Sequence, residues 1–222
     1  MISAIIFDLD GVIVDTAKYH YLAWKRLAAG LGFEFTERDN ERLKGVSRMR
    51  SLDILLEIGG MAGKFTSQQQ EEMASRKNEW YLEYIMKMTP DEILPGVIPF
   101  IDEIRGAGIK TGLGSASKNT GLILSRLDIA GLFDAVVDGN MVIQAKPDPE
   151  VFLLGARMLE VEPSVCVVFE DAPAGVQAAR NASMMCVGVG EKDTLAAADT
   201  VIPGFDGFTL CKLKRALLCK EI

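Results

Sequence analysis

Two carboxylates end the first apolar run of this chain, Ala4-Ile5-Ile6-Phe7-Asp8-Leu9-Asp10-Gly11-Val12. An apolar run of that length, bounded by glycine, predicts a buried strand. Residues two apart on a strand point the same way, so Asp8 and Asp10 are expected on one side of its carboxyl end. Carboxylates paired there can hold a hard cation, attack an electrophile or move a proton. Asp10-Gly11 also suits a plain turn. A calcium loop is excluded by spacing, because Gly11 comes too early and no Glu stands at the loop's twelfth position.

Three further clusters fit the same mouth. The strand Lys110-Thr111-Gly112-Leu113-Gly114 runs into Ser115-Ala116-Ser117-Lys118-Asn119. A hydroxyl, backbone N–H groups and a following helix N-terminus make a cradle for an anion, although a simple serine N-cap reads the same way. Lys146-Pro147-Asp148-Pro149 sets one cation in a stiff turn ahead of a helix, where a lone lysine commonly faces solvent. Val165-Cys166-Val167-Val168-Phe169-Glu170-Asp171 is a second apolar run closed by paired acids. Asp8, Asp10, Glu170 and Asp171 together carry more negative charge than one mouth tolerates without a cation. Oxygen donors without His or Cys fit Mg²⁺ rather than zinc. These parts describe phosphoryl transfer, with Asp8 as nucleophile, Asp10 as proton donor and acceptor, Ser115 in the cradle and Lys146 spreading the phosphoryl charge.

The elements that must position these groups alternate along the chain. Strands are expected over 2–8, 109–114, 134–138, 165–169 and 185–189, with helices over 97–105, 119–127, 149–159 and 174–182. Such alternation gives an α/β fold with a parallel sheet covered on both faces, whose ligands sit beyond the carboxyl ends of the strands. An all-helical stretch of 17–87 interrupts it and is expected to lid that end, leaving 1–16 and 88–222 as the α/β domain. Its first helix carries Tyr19, Leu22, Ala23 and Leu27, its second begins near Ser47 and stops at Gly59-Gly60, and its third spans roughly 68–87.

The helical stretch carries a second candidate anion site, Lys44-Gly45-Val46-Ser47-Arg48, in which a glycine turn and two cations precede a helix N-terminus. A basic loop with an ordinary cap reads alike. Lys77 lies on the apolar face of the third helix, four residues from both Met73 and Tyr81; it either snorkels to solvent or reaches into the site. His20, the one histidine, follows Thr16 by a helical turn, so a part in orienting Asp10 stands beside a purely structural one.

At 222 residues, 49% hydrophobic and 25% charged, the chain has the makeup of a folded soluble protein. A net charge of −7 without a basic stretch argues against nucleic acid or an anionic membrane as partner. No run reaches transmembrane length, and Asp8 cuts the N-terminal apolar run too short for a signal peptide. Cys166, Cys186, Cys211 and Cys219 have no metal-ligand spacing and read as reduced packing residues of a cytoplasmic protein.

These residues resemble the four motifs of the haloacid dehalogenase superfamily: Asp8-x-Asp10-Gly11-Val12, Ser115, Lys146-Pro147 and Glu170-Asp171-x-x-x-Gly175. The resemblance covers nearly the whole chain. It implies a doubly wound, mostly parallel α/β core with an inserted helical cap. Asp15-Thr16-Ala17-x-Tyr19-His20, Trp24, Leu43 to Arg48, Ser51, Arg76-Lys77-Asn78 and Ser115 to Asn119 are similar to the superfamily's mutases of β-glucose phosphates. That likeness implies interconversion of β-D-glucose 1-phosphate and D-glucose 6-phosphate through an aspartyl phosphate on Asp8, with glucose 1,6-bisphosphate as primer and intermediate. A sugar-phosphate phosphatase is the alternative. One Mg²⁺ per chain would be held by Asp8, Asp10 and Glu170 or Asp171. Ser115 and Lys146 would hold the transferring phosphate and Arg48 the other, while Thr16 and His20 couple Asp10 to cap closure. Trp24, Lys44, Gly45, Val46, Ser47, Ser51, Lys77, Ala116, Ser117, Lys118 and Asn119 would line the sugar-phosphate site. The expected partners are small sugar phosphates, and the expected state is a monomer.

Overall fold

The computed structural model describes residues 2–43 and 46–218. Lys44 and Gly45, expected in the second anion site, and Cys219 lie outside them. The described chain divides into two compact units, Met1–Asp15 with Thr89–Ile222, and Thr16–Met88.

In the first unit the apolar runs become strands because each is wanted on both faces. β1 (Ala4–Phe7) is wholly buried and pairs in parallel with β2 (Lys110–Gly114) on one side and β4 (Cys166–Glu170) on the other. β3 (Ala135–Val137), β5 (Met185–Val189) and β6 (Thr200–Ile202) extend the sheet, which is parallel throughout in the order β3-β2-β1-β4-β5-β6. The order reverses direction about β1, so the ends of β1, β2 and β4 lie side by side at the switch point where ligands of doubly wound sheets bind.

Alternate residues of β1 serve opposite faces. Ala4 and Ile6 join Val137, Phe152, Val168, Val176 and Cys186 in one cluster. Phe7 faces the other way, stacked on Phe169 at 5.3 Å and edge-on to Phe100 at 6.3 Å, with Phe205 also in contact. Helices α5 (Val97–Gly106), α6 (Thr120–Leu127), α7 (Glu150–Met158), α8 (Pro173–Asn181) and α9 (Leu210–Leu218) complete this unit. Here they are numbered after the four helices of the other unit, α1 (Ala17–Leu31), α2 (Glu37–Asn40), α3 (Arg48–Ile58) and α4 (Ser67–Ile85). Cys166 and Cys186 are buried packing residues, and Cys211 is exposed.

The path out of the first unit is pinned at its base. Val14 pairs antiparallel with Ile93, and the Leu94 N–H donates to the Ile13 carbonyl at 2.9 Å.

In the second unit each helix start is locally encoded. Thr66 and Gln69 form a reciprocal capping box on α4, Thr36 and Asp39 do the same on α2, and the Ser47 hydroxyl caps α3 through Arg50 N–H. Trp24, Leu27, Phe35, Leu52, Leu55, Leu56 and Ala74 form its core. α4 ends at Ile85, two residues short of the expected 87. No helix among the described residues is long and apolar enough to cross a membrane.

Candidate active site

Asp8 directly follows β1 and is 6% exposed; its N–H still continues the ladder to Phe169 at 2.9 Å. The chain then leaves the strand. Ile13 N–H and Val14 N–H both return to the Leu9 carbonyl, and Gly11 N–H donates to Val14. Gly11 adopts φ +77°, and a Cβ there would overlap the Asp171 carboxylate. Glycine is therefore required twice over, by conformation and by the acid packed on it.

Lys146 is the centre of the site. Its ammonium donates to Asp8 Oδ1 at 2.5 Å, to Glu170 Oε2 at 2.8 Å and to the Gly114 carbonyl at 3.1 Å. Lys146 is buried, 6% exposed, where a lone lysine in such a turn commonly faces solvent. Burial works against its charge, but Asp8 and Glu170 overcome that and hold its pKa above the ordinary lysine value. Glu170 uses its other oxygen to accept the Ala172 N–H at 3.2 Å. Burial and then the Asp8 charge push the Glu170 carboxyl up to about 7, with Lys146 pulling the other way. A Cβ at Gly175 would overlap this carboxylate, so the motif's glycine makes the room that Glu170 occupies.

Oxygens of Asp8, Glu170 and Asp171 lie within 4.8 Å of one another, and among the described residues these three form a group that could hold a metal ion. Asp10 is not among them. β1 ends at Phe7, so Asp10 lies in the turn beyond the strand, where its backbone bridges to Val14. Three carboxylates against one ammonium leave an excess of negative charge in a buried place, and an all-oxygen donor set suits a hard divalent cation such as Mg²⁺.

Ser115 is fully buried at the end of β2, anchored by its N–H to Val137 at 3.0 Å. Its hydroxyl accepts the Ser117 N–H at 3.1 Å, and Ser117 Oγ accepts that of Asn119 at 3.2 Å. Ser115 is not the cap of α6; that position falls to Asn119. Ala116 and Ser117 are partly buried, and Lys118 is exposed.

Of the candidate residues of the helical unit, His20 and Trp24 meet Lys77. It is 2% exposed and does not snorkel. Its ammonium sits 2.7 Å from His20 Nδ1, 4.5 Å over the Trp24 ring and 4.9 Å over the Tyr81 ring. His20 in turn stacks on Tyr81 at 4.0 Å. Burial, then the charges of Lys77 and Arg48, hold His20 well below its usual pKa. A neutral ring accepting at Nδ1 keeps its proton on Nε2, as a donor. Thr16 and Ser51 are buried, Val46 and Arg48 partly so, and Ser47 is the exposed cap of α3. Tyr81 stands in the sequence only as a residue of the third helix's apolar face, not as a site residue; its spacing of four from Lys77 on α4 is the signal that pairs them.

A family model for haloacid dehalogenase-like hydrolases matches residues 2–183. The chain is 44% identical over 207 residues to a β-phosphoglucomutase of Bacillus subtilis (strain 168), covering 93% of this chain and 92% of that one. It is 34% identical over 186 residues to a phosphorylated carbohydrates phosphatase of Thermotoga maritima, covering 82% of each. A solved β-phosphoglucomutase from Clostridium difficile superposes with a TM-score of 0.93 at 40% identity, covering 99% of both chains.

Proposed function

This chain belongs to the haloacid dehalogenase-like hydrolase family, and we propose that within it the protein is a phosphomutase interconverting β-D-glucose 1-phosphate and D-glucose 6-phosphate. The observation that carries this reading is likeness across both units: identity to proteins named β-phosphoglucomutases runs at 40% and 44% over nearly the whole chain. The helical unit sets substrate in this reading, so a match confined to the core motifs would not suffice.

In the proposed reaction an Asp8 oxygen attacks phosphorus of glucose 1,6-bisphosphate. The bond from phosphorus to the sugar oxygen breaks, and Asp10 gives that oxygen a proton. With the C1 phosphoryl on Asp8, glucose 6-phosphate leaves and β-glucose 1-phosphate takes its place. Asp10 takes the proton of its 6-hydroxyl, and the phosphoryl group passes from Asp8 to that oxygen, regenerating glucose 1,6-bisphosphate. Lys146 and Ser115 steady the charge on the moving group, and Glu170 keeps the lysine in place. Mg²⁺, held by Asp8 and Asp171 with Glu170 adjacent, would supply further positive charge to the phosphoryl oxygens. Arg48 is assigned the phosphate that does not react, with His20, Trp24 and Lys77 at the sugar.

Glucose 6-phosphate and free phosphate are to be followed in parallel from β-glucose 1-phosphate, Mg²⁺ and a trace of glucose 1,6-bisphosphate. The expected result is glucose 6-phosphate with little free phosphate, and Arg48→Ala is expected to lose more mutase turnover than hydrolysis of a small phosphoryl donor. Free phosphate in step with substrate loss would make the protein a phosphatase instead.

The metal assignment has a separate readout. Mg²⁺ at a hundredfold excess over its dissociation constant stabilises the fold by about 2.7 kcal/mol, a rise in Tm of roughly 5–10 °C for a chain this long. Chelation is expected to reverse the rise and Asp171→Asn to abolish most of it. A Tm indifferent to Mg²⁺ in the unaltered protein counts against the site.

A further inference from the structure

Lys146 is carried by the connection 138–149, between β3 and α7, and this connection has little core of its own. Met141 is 46% exposed and Ile143 89%. Val142 packs against the core cluster, but four residues ahead of Lys146 it does little to fix the backbone that must deliver a buried ammonium to within hydrogen-bonding distance of two carboxylates. Polar ties do so instead. Glu150 Oε2, in the first turn of α7, accepts the Ile143 N–H at 2.9 Å and the Gln144 N–H at 2.7 Å. Past Lys146, the Asp148 N–H returns to the Ala145 carbonyl at 3.0 Å, and Asp148 Oδ1 accepts the Glu150 N–H at 2.9 Å. Asn181 of α8 holds the Pro147 carbonyl through Nδ2 at 2.9 Å. At its other end the same connection grips the Ser115 loop: Gly139 N–H donates to Ser117 O and Asn140 Nδ2 to Lys118 O, both at 3.1 Å.

We propose that Glu150 is a positioning residue for phosphoryl transfer, whose one oxygen, by taking two successive amides just ahead of Lys146, sets where the ammonium stands. The proposal rests on the reading that Lys146 acts on the moving phosphoryl group. A plainer role also exists for Glu150, since an acid in a first helical turn complements the helix dipole. Two variants separate the roles. Glu150→Gln keeps the reach and an acceptor oxygen but loses the charge. Glu150→Asp keeps the charge at α7 but falls a methylene short of the amides.

Mutase kinetics and melting are to be measured for Glu150→Ala, Glu150→Asp, Glu150→Gln and Lys146→Met. Glu150→Ala and Glu150→Asp are expected to lose kcat by on the order of 10²-fold, as small misplacements of a catalytic group do. KM for β-glucose 1-phosphate is expected to change little, with Tm within a few degrees of the unaltered protein. Glu150→Gln is expected to recover activity to within about tenfold, because a neutral acceptor gives a weaker bond to the same donors. Glu150→Asp matching the unaltered enzyme, Glu150→Gln failing like Glu150→Ala, or a rise in KM alone would overturn the proposal. If Lys146→Met keeps its turnover, the reading beneath it fails; if only Lys146→Met loses turnover, the reading stands and Glu150 has no part in it.

Discussion

Asp8→Asn is expected to lower kcat for glucose 6-phosphate formation by at least about 10⁴-fold, the scale on which removal of a covalent nucleophile acts. The amide matches the carboxylate in size and can still accept from Lys146, but it is a poor nucleophile toward phosphorus. The fold is expected to survive the change. Asp8 is the second cause, after burial, that holds the Glu170 carboxyl near 7. Without that charge Glu170 ionises more readily and remains paired with Lys146. The expected observation is a melting curve close to that of the unaltered protein, no turnover, and no phosphoryl adduct by mass spectrometry after exposure to a small acyl phosphate. An adduct still forming in the variant would move the nucleophile elsewhere.

Lys146→Met is expected to cost stability as well as turnover. It removes the cation from two buried acids, and breaking a buried pair from one side costs about 3–5 kcal/mol, or roughly 10 °C in Tm at this chain length. The loss has a sign in pH. With Lys146 present the folded Glu170 already titrates near 7, above the 4.5 of a free carboxyl. Lys146 is the group that pulls it down, so the variant raises it further. Wherever pH lies above 4.5 and below the folded value, the folded state binds the extra proton, and stability falls as pH rises. The Tm deficit, measured in chelator to keep metal out, is expected to be larger at pH 8 than at pH 6. A deficit that shrinks with rising pH would show that Glu170 is not the acid left exposed.

The strand ends that build the site are legible in the sequence because each closes an apolar run, and a run buried on both faces needs no periodicity to be seen. Lys146 shows where that legibility stops. Its sequence neighbourhood is that of an exposed turn, and only the pairing of β1 with β2 and β4 brings Asp8, Gly114 and Glu170 around it. Lys77 is similar: a lysine on an apolar stripe ordinarily snorkels, but here Trp24, Tyr81 and His20 replace the lost water. Asp10 lies past the end of a four-residue strand, where two-residue periodicity no longer fixes its direction. The expected elements also stop short of β6 and α9. Thr200–Ile202 is only three residues long and is a strand because β5 offers it an edge. For α2 the signal was local but not apolar, a capping box on four polar residues.

The pinned base at Val14 and Ile93 makes the helical segment a cassette. Because the two ends of the insertion are already joined by the core's own hydrogen bonds, closing a loop of any length there costs the core little more than closing a short one. The segment between can be lengthened, exchanged or transplanted while the residues around Lys146 keep their places. A lineage carrying this arrangement can change what it recognises by swapping a cassette, without reinventing how it moves a phosphoryl group.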